Sequence, residues 1–330
     1  MLKLIQNEWI KLWSKKSAWI MVALLILIVP AMMGLMKWLN VQDGAYDSQP
    51  SNGIGIQVDS SELEYDWEMD GQGELADIQE LLATTDLSKA KRKELEGQEK
   101  VLEYRLSNSV EPLAHDSRQS VMMDISGITG VVLLFTVIVA AGIVASEFSQ
   151  GTIKMLLSRP VKRWKVLTAK FITVNLFSVF LIFIGYLVTV AFAYLLYQTG
   201  DGQLLSWDGK EIVEVSIWGK SLYMLVLSFG SVFVTSTFAF MIGTVFRSSS
   251  MAIGLALFLY FTGTSIVMLL ERFEFAKYLV FTHMDLTQFE TGIKLIEDVT
   301  MPFSLAVLSV YIVVFLVISY LTFIKRDVEA

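Results

Sequence analysis

Residues 171–196 read FITVNLFSVFLIFIGYLVTVAFAYLL, a run without a single charged side chain. A helix needs about 20 apolar residues, rising 1.5 Å each, to cross the hydrocarbon core of a bilayer, so this run is long enough to span. Five more runs of the same kind occupy residues 18–36, 121–145, 222–246, 251–270 and 303–324, and Asp124 is the one charge inside all six. Asp124 lies at the edge of its run, where it reaches interfacial water at a cost well below that of a charge at the bilayer centre. The whole chain agrees: of 330 residues 54% are hydrophobic and 18% charged, with a mean hydropathy of +0.56. That is too apolar for an ordinary soluble enzyme. The expected fold is an all-α polytopic membrane protein with six transmembrane helices.

The run at 18–36 is too long for the core of a cleavable signal peptide, and no small-residue cleavage site follows it before Trp38 and Leu39. Orientation follows from Lys and Arg, which are held on the cytoplasmic side during insertion. With the amino terminus inside, residues 1–17, 146–170, 247–250 and 325–330 hold 13 basic residues against four acids, and the other side carries the acidic excess. Both termini are therefore expected in the cytoplasm. The net charge of −7 offers no bulk attraction to nucleic acid. The chain has no cysteine, and its two histidines, His115 and His283, are far apart in sequence, so thiolate chemistry is excluded and no metal or catalytic site is expected.

Residues 37–120 form a large external segment with 18 acids, too long for a hairpin connection. Residues 40–74, with Asp43-Gly44, Ser51-Asn52-Gly53 and Asp70-Gly71, read as loop. Residues 75–82 and 87–106 have helical spacing, with Asp86 placed to cap the second stretch and Pro112 to stop it. The segment is either a lid or docking surface, or a solvated cap kept soluble by its acids. Between the fifth and sixth spans, residues 275–289 are half apolar and too short to cross, which suits an interfacial or re-entrant piece.

At the amino terminus Leu4, Ile5, Trp9, Leu12 and Trp13 recur at intervals of three and four, with Lys3, Glu8, Lys11, Lys15 and Lys16 largely elsewhere around the helix. The pattern predicts an amphipathic interfacial helix over 1–17, Trp9 and Trp13 at headgroup depth and the lysines toward anionic lipid. The plainer alternative is a topogenic anchor. The loop at 146–170 is more specific. Gly151 allows a sharp change of direction and Pro160 disfavours helix at Arg159, which delimits one or two helical turns from Thr152 to about Ser158. Ile153, Met155, Leu156 and Leu157 make that piece more apolar than a solvated loop needs, among Lys154, Arg159, Lys162 and Arg163.

The order Glu147, Gly151-Thr152, an apolar pair, Ser158-Arg159-Pro160-Val161 and Arg163 resembles the permease subunits of bacterial ABC exporters of the second class. The resemblance is sharp over about residues 145–170 and extends over the whole chain as topology. It implies that Glu147 holds the end of the second span, that Gly151 and Thr152 open a coupling helix, and that Ile153, Leu156 and Leu157 enter a cleft of an ATPase subunit. Pro160 and Arg163 would close the motif, and the amino-terminal helix with Trp9, Leu12 and Trp13 is similar to the family's membrane-lying connecting helix. The implied partners are an ABC ATPase dimer, a second permease half, identical or homologous, and the lipid bilayer. The long external segment departs from the compact members of the family.

No cofactor is expected on this chain, ATP being bound by the partner. Gly219-Lys220-Ser221 is the nearest approach to a phosphate-binding loop, but Glu214 stands where its first glycine is needed. Neither buried paired acids nor a histidine relay is evident for a self-sufficient secondary carrier. The expected activity is export of a hydrophobic or amphipathic substrate, such as an antimicrobial peptide, a lipid-like compound or a drug. The competing classes are a non-transporting membrane sensor or scaffold that uses the acidic segment, and a secondary carrier. Gly127, Gly130, Gly230, Gly243 and Gly254 read as close-packing positions between helices.

Overall fold

The computed structural model describes residues 1–46, 67–84, 87–114, 116–152, 161–246, 248–292 and 294–325. Among them, six helices are long and apolar enough to cross a membrane, at Lys16–Leu39, Arg118–Ser149, Arg163–Leu196, Ile217–Val245, Ser249–Leu270 and Met301–Lys325. Each coincides with one of the six apolar runs, the run at 222–246 extending one residue past its helix. A bilayer supplies no water to backbone N–H and C=O groups, so an apolar run of this length closes its own hydrogen bonds as a helix. The helices are α1 (Leu2–Trp13), α2 (Lys16–Tyr46), α3 (Trp67–Ala83), α4 (Lys89–Asn108), α5 (Arg118–Met123), α6 (Ser126–Ser149) and α7 (Arg163–Leu196). They continue with α8 (Ile217–Val245), α9 (Ser249–Leu270), α10 (Val280–His283), α11 (Gln288–Thr291) and α12 (Met301–Lys325), a 3₁₀ turn (Glu274–Tyr278) preceding α10.

The chain divides into two compact units. The first comprises Met1–Leu27, Ile125–Leu187 and Tyr223–Ala330. Its centre is built by small residues: Ala140, Ala141 and Ala145 of α6 have no exposed surface, and a Cβ on Gly243 of α8 would stand 2.3 Å from the Ala141 carbonyl oxygen. Helix α9 packs along α6, where Ile253 seats on Gly142. Close backbone approach replaces the hydrophobic drive that lipid does not provide. Hydroxyl contacts join α6, α7 and α8: Thr129 to Ser228 at 2.9 Å, Thr136 to Ser178 at 3.1 Å, and Ser236 to Asn175 Oδ1 at 3.1 Å. Gly230 also packs closely, against Leu286, whereas Gly130 and Gly254 have nothing within 4 Å of a built Cβ, contrary to the close-packing expectation for those two.

The half-apolar piece between the last two spans is folded into this unit. His283 has no exposed surface, its Nδ1 2.7 Å from Ser304 Oγ and its Nε2 2.8 Å from the Lys277 carbonyl. Phe281 lies against Gly263, and the Leu286 N–H donates to Ser231 Oγ at 2.8 Å. Gln288 donates to the Thr282 and Asp285 carbonyls. Such side-chain partners let irregular backbone be buried.

The second unit comprises Ile28–Asp124 and Val188–Leu222. Helices α3 and α4 form an antiparallel pair, with Gly71 against Leu106 and Gln79 bonded to Glu99. Helix α3 begins at Trp67, so residues 67–74, expected as loop, are helical; Glu68 and Asp70 in the first turn suit the positive end of the helix dipole. Ser88 caps α4 by accepting from the Lys91 N–H; Asp86, the expected cap, lies outside the described residues. The helix ends at Ser109, whose φ of 49° is left-handed and whose N–H returns to Arg105, so Pro112 lies beyond the stop. The all-α expectation also omits a small antiparallel hairpin, β1 (Leu205–Trp207) and β2 (Ile212–Glu214). Asp208-Gly209 between two short apolar stretches is a turn signal that could have found it. Lys100 Nζ lies 4.1 Å over the Trp207 ring, and the buried Arg105 guanidinium donates to the Val110, Glu111 and Gln203 carbonyls.

Candidate functional site

Four charged side chains meet where α1, the last turn of α6 and the first turns of α7 come together. Lys170 Nζ is 2.7 Å from Glu8 Oε2 and 2.7 Å from Glu147 Oε1, while Lys11 Nζ is 2.5 Å from the same Glu147 oxygen. Lys170 has no exposed surface, and Glu147 and Glu8 keep 2% and 7%. Burying an ion costs several kcal/mol unless it is paired, and here two cations balance two carboxylates. The amphipathic pattern of α1 accounts for Leu12, which is buried, but not for Glu8, which turns inward rather than lying on the polar face, because Lys170 receives it. Glu147 Oε2 is buried without a hydrogen-bond partner among the described residues.

The expected absence of buried paired acids is thereby overturned: Glu8 and Glu147 share one lysine. They do so between the middle of α1 and the last turn of α6, not at the middle of a span. Sequence reading singled out Glu147 but missed Lys170, Glu8 and Lys11. A lysine followed directly by an uncharged run, and a glutamate within a tryptophan-rich amphipathic helix, were the available signals.

The other expected site residues fall into three groups. Gly151 takes φ 69°, the left-handed conformation that turns the chain out of α6; the Thr152 hydroxyl lies 3.4 Å from the Glu147 carbonyl. Arg163, at the first position of α7, donates to the Ile324 carbonyl at the end of α12, 3.1 Å away. Ile153, Leu156, Leu157 and Pro160 lie outside the described residues. On α1, Trp13 stacks edge-on with Phe180 at 5.1 Å, Phe177 at 5.8 Å and Trp9 at 5.7 Å. Its ring packs on α7, where aromatic neighbours offer it close edge-to-face contacts.

Two relatives from Bacillus subtilis (strain 168) match this chain. Uncharacterized protein YhcI is 31% identical over 334 residues, covering 99% of each chain. Uncharacterized membrane protein YdbK is 30% identical over 197 residues, 59% of this chain and 76% of that one. Residues 102–329 match the family model described as Protein of unknown function (DUF2705), a stretch that holds Glu147 and Lys170 but neither Glu8 nor Lys11. The six apolar helices, the full-length likeness to YhcI and this match identify the chain as a multi-pass membrane protein belonging to the DUF2705 family.

Proposed function

We propose that this chain is the transmembrane permease subunit of an ATP-driven ABC exporter in a bacterial plasma membrane. Two six-span halves would work with a separate ATPase dimer on a hydrophobic or amphipathic cargo. The observation that carries the reading is the Lys170 cluster, which clamps Glu147, Glu8 and Lys11 immediately before the segment that resembles a coupling helix. A lever that passes nucleotide-driven motion into helices must have a stiff root. Buried, mutually paired charges on three elements supply one, since moving any element alone would strand a charge. Nucleotide-dependent closure of the ATPase would then shift the population between inward- and outward-facing arrangements.

An affinity-tagged chain purified from its own membranes should bring an ABC ATPase with it, and Leu156→Asp combined with Leu157→Asp should abolish that association at unchanged membrane levels. Association that survives both changes removes the docking role. A second reading, a proton-coupled carrier, is favoured by the unpartnered buried oxygen of Glu147. Transport in proteoliposomes driven by an imposed proton gradient, without ATPase, would select it.

A further inference from the structure

The second unit contains a cleft of about 380 Å³ that the ion cluster and the coupling segment do not use; Arg118, Gln119, Tyr194, Gln203, Glu214 and Trp218 are among its lining residues. The guanidinium of Arg118 is fixed from two sides. Its carbon lies 4.4 Å from the centre of the Tyr194 ring, and its Nε and Nη2 donate to the Tyr197 carbonyl at 3.4 and 3.3 Å. That leaves Nη1 with no acceptor among the described residues. A guanidinium held this way is preorganised for a phosphate, because its remaining N–H groups already point in a set direction.

Glu214, the last residue of β2, lines the same cleft. It makes no ion pair or side-chain hydrogen bond among the described residues, and it is not within ion-pair distance of Arg118. The cleft thus offers one open cationic group and one open anionic group. Tyr194 lies in the last turn of α7 and Trp218 in the first turn of α8, with 54% and 56% of their surfaces exposed. Amphipathic aromatic rings at the ends of apolar helices mark the headgroup layer of a bilayer.

We propose that this cleft binds the headgroup of a zwitterionic phospholipid, its phosphate on Arg118 and its ammonium on Glu214, with Tyr194 and Trp218 at the start of the acyl chains. The volume lies within the usual range of small-ligand sites. Phosphatidylglycerol would satisfy Arg118 with its phosphate but offers Glu214 only neutral hydroxyls in place of an ammonium. A free zwitterion such as phosphoethanolamine has the same charges without the acyl chains. The proposal is independent of any ATPase.

The test is native mass spectrometry of the full-length chain in detergent with equal amounts of dioleoyl phosphatidylethanolamine and dioleoyl phosphatidylglycerol. The unmodified chain should retain the ethanolamine lipid preferentially. Glu214→Gln removes only the charge of a side chain that makes no internal hydrogen bond among the described residues, so the protein remains folded; it should cut the preference roughly three- to tenfold, the effect of losing one charge-assisted contact. Arg118→Gln should weaken retention of both lipids. Equal retention of the two lipids by the unmodified chain, or an unchanged preference in Glu214→Gln, overturns the proposal. Displacement of the lipid by an equal concentration of soluble phosphoethanolamine overturns the lipid as its source.

Discussion

Lys170 is a fully buried cation whose ammonium meets carboxylates from two other helices. Replacing it by Met keeps most of the side-chain volume but leaves Glu8 without a cation and Glu147 with only the half-exposed Lys11 beside it. Lys170→Met is expected to cost about 3–5 kcal/mol, the usual penalty for breaking a buried pair. Adding Glu147→Gln should recover part of the loss, and unfolding in detergent followed by tryptophan fluorescence measures both. His283 gives a pH dependence. Burial pushes its imidazole below the ordinary value of 6.5, against a smaller opposing effect of the Lys277 carbonyl. The unfolded chain then binds the proton more readily than the folded one, so the stability is fully present above about pH 6.5 and falls as the pH drops from there toward the lowered folded value. A melting series from pH 8 to 5 should show the decline, and His283→Gln should flatten it.

At the scale of elements, Gly243 and Gly254 separate two roles that look alike in sequence. A methyl group on Gly243 would meet the Ala141 backbone, whereas one on Gly254 would enter open space. Gly243→Ala should therefore destabilise by about 1–3 kcal/mol through overpacking. Gly254→Ala should be neutral or stabilise by up to about 1 kcal/mol through helix propensity. Thermal unfolding of the two variants side by side checks the contrast. The β-hairpin turn carries its own pH response: Asp208 Oδ1 accepts from the Glu211 and Lys210 N–H groups, which hold its carboxyl below the ordinary 3.8. That stabilisation is present above the unfolded value and is lost as the pH falls through the folded one. Trp207 emission should report the loosening, and Asp208→Ala should produce it at neutral pH.

For the whole molecule, the expected orientation follows from the distribution of Lys and Arg, and a chain without cysteine makes it directly measurable. Glu96→Cys, on the exposed side of α4, should react with a membrane-impermeant maleimide on intact cells, and Gln6→Cys on α1 only after permeabilisation. The reverse pattern would turn the whole assignment over, including the side on which an ATPase could dock. All six spans were legible because each is a local property of one run, such as residues 171–196. The helical pair α3–α4 was legible in part: spacing found its apolar stripe, but the start at Trp67 escaped because Gly71 and Gly73 read as loop. Glu147 could be singled out from its neighbours in sequence, whereas its ion partners could not.

The sequence by itself determined six membrane-crossing helices, the long acidic connection after the first and the turn at Gly151. Hydrocarbon thickness, backbone self-satisfaction and glycine conformation act on consecutive residues, so a linear reading contains them. Only the tertiary structure decided that Glu8 turns inward to Lys170, 162 residues away, that Glu147 meets the same ammonium, and that residues around His283 fold into the bundle. Which charges are neutralised, and which irregular backbone can be buried, depends on groups that distant elements bring within 3 Å of one another. No local pattern records those distances.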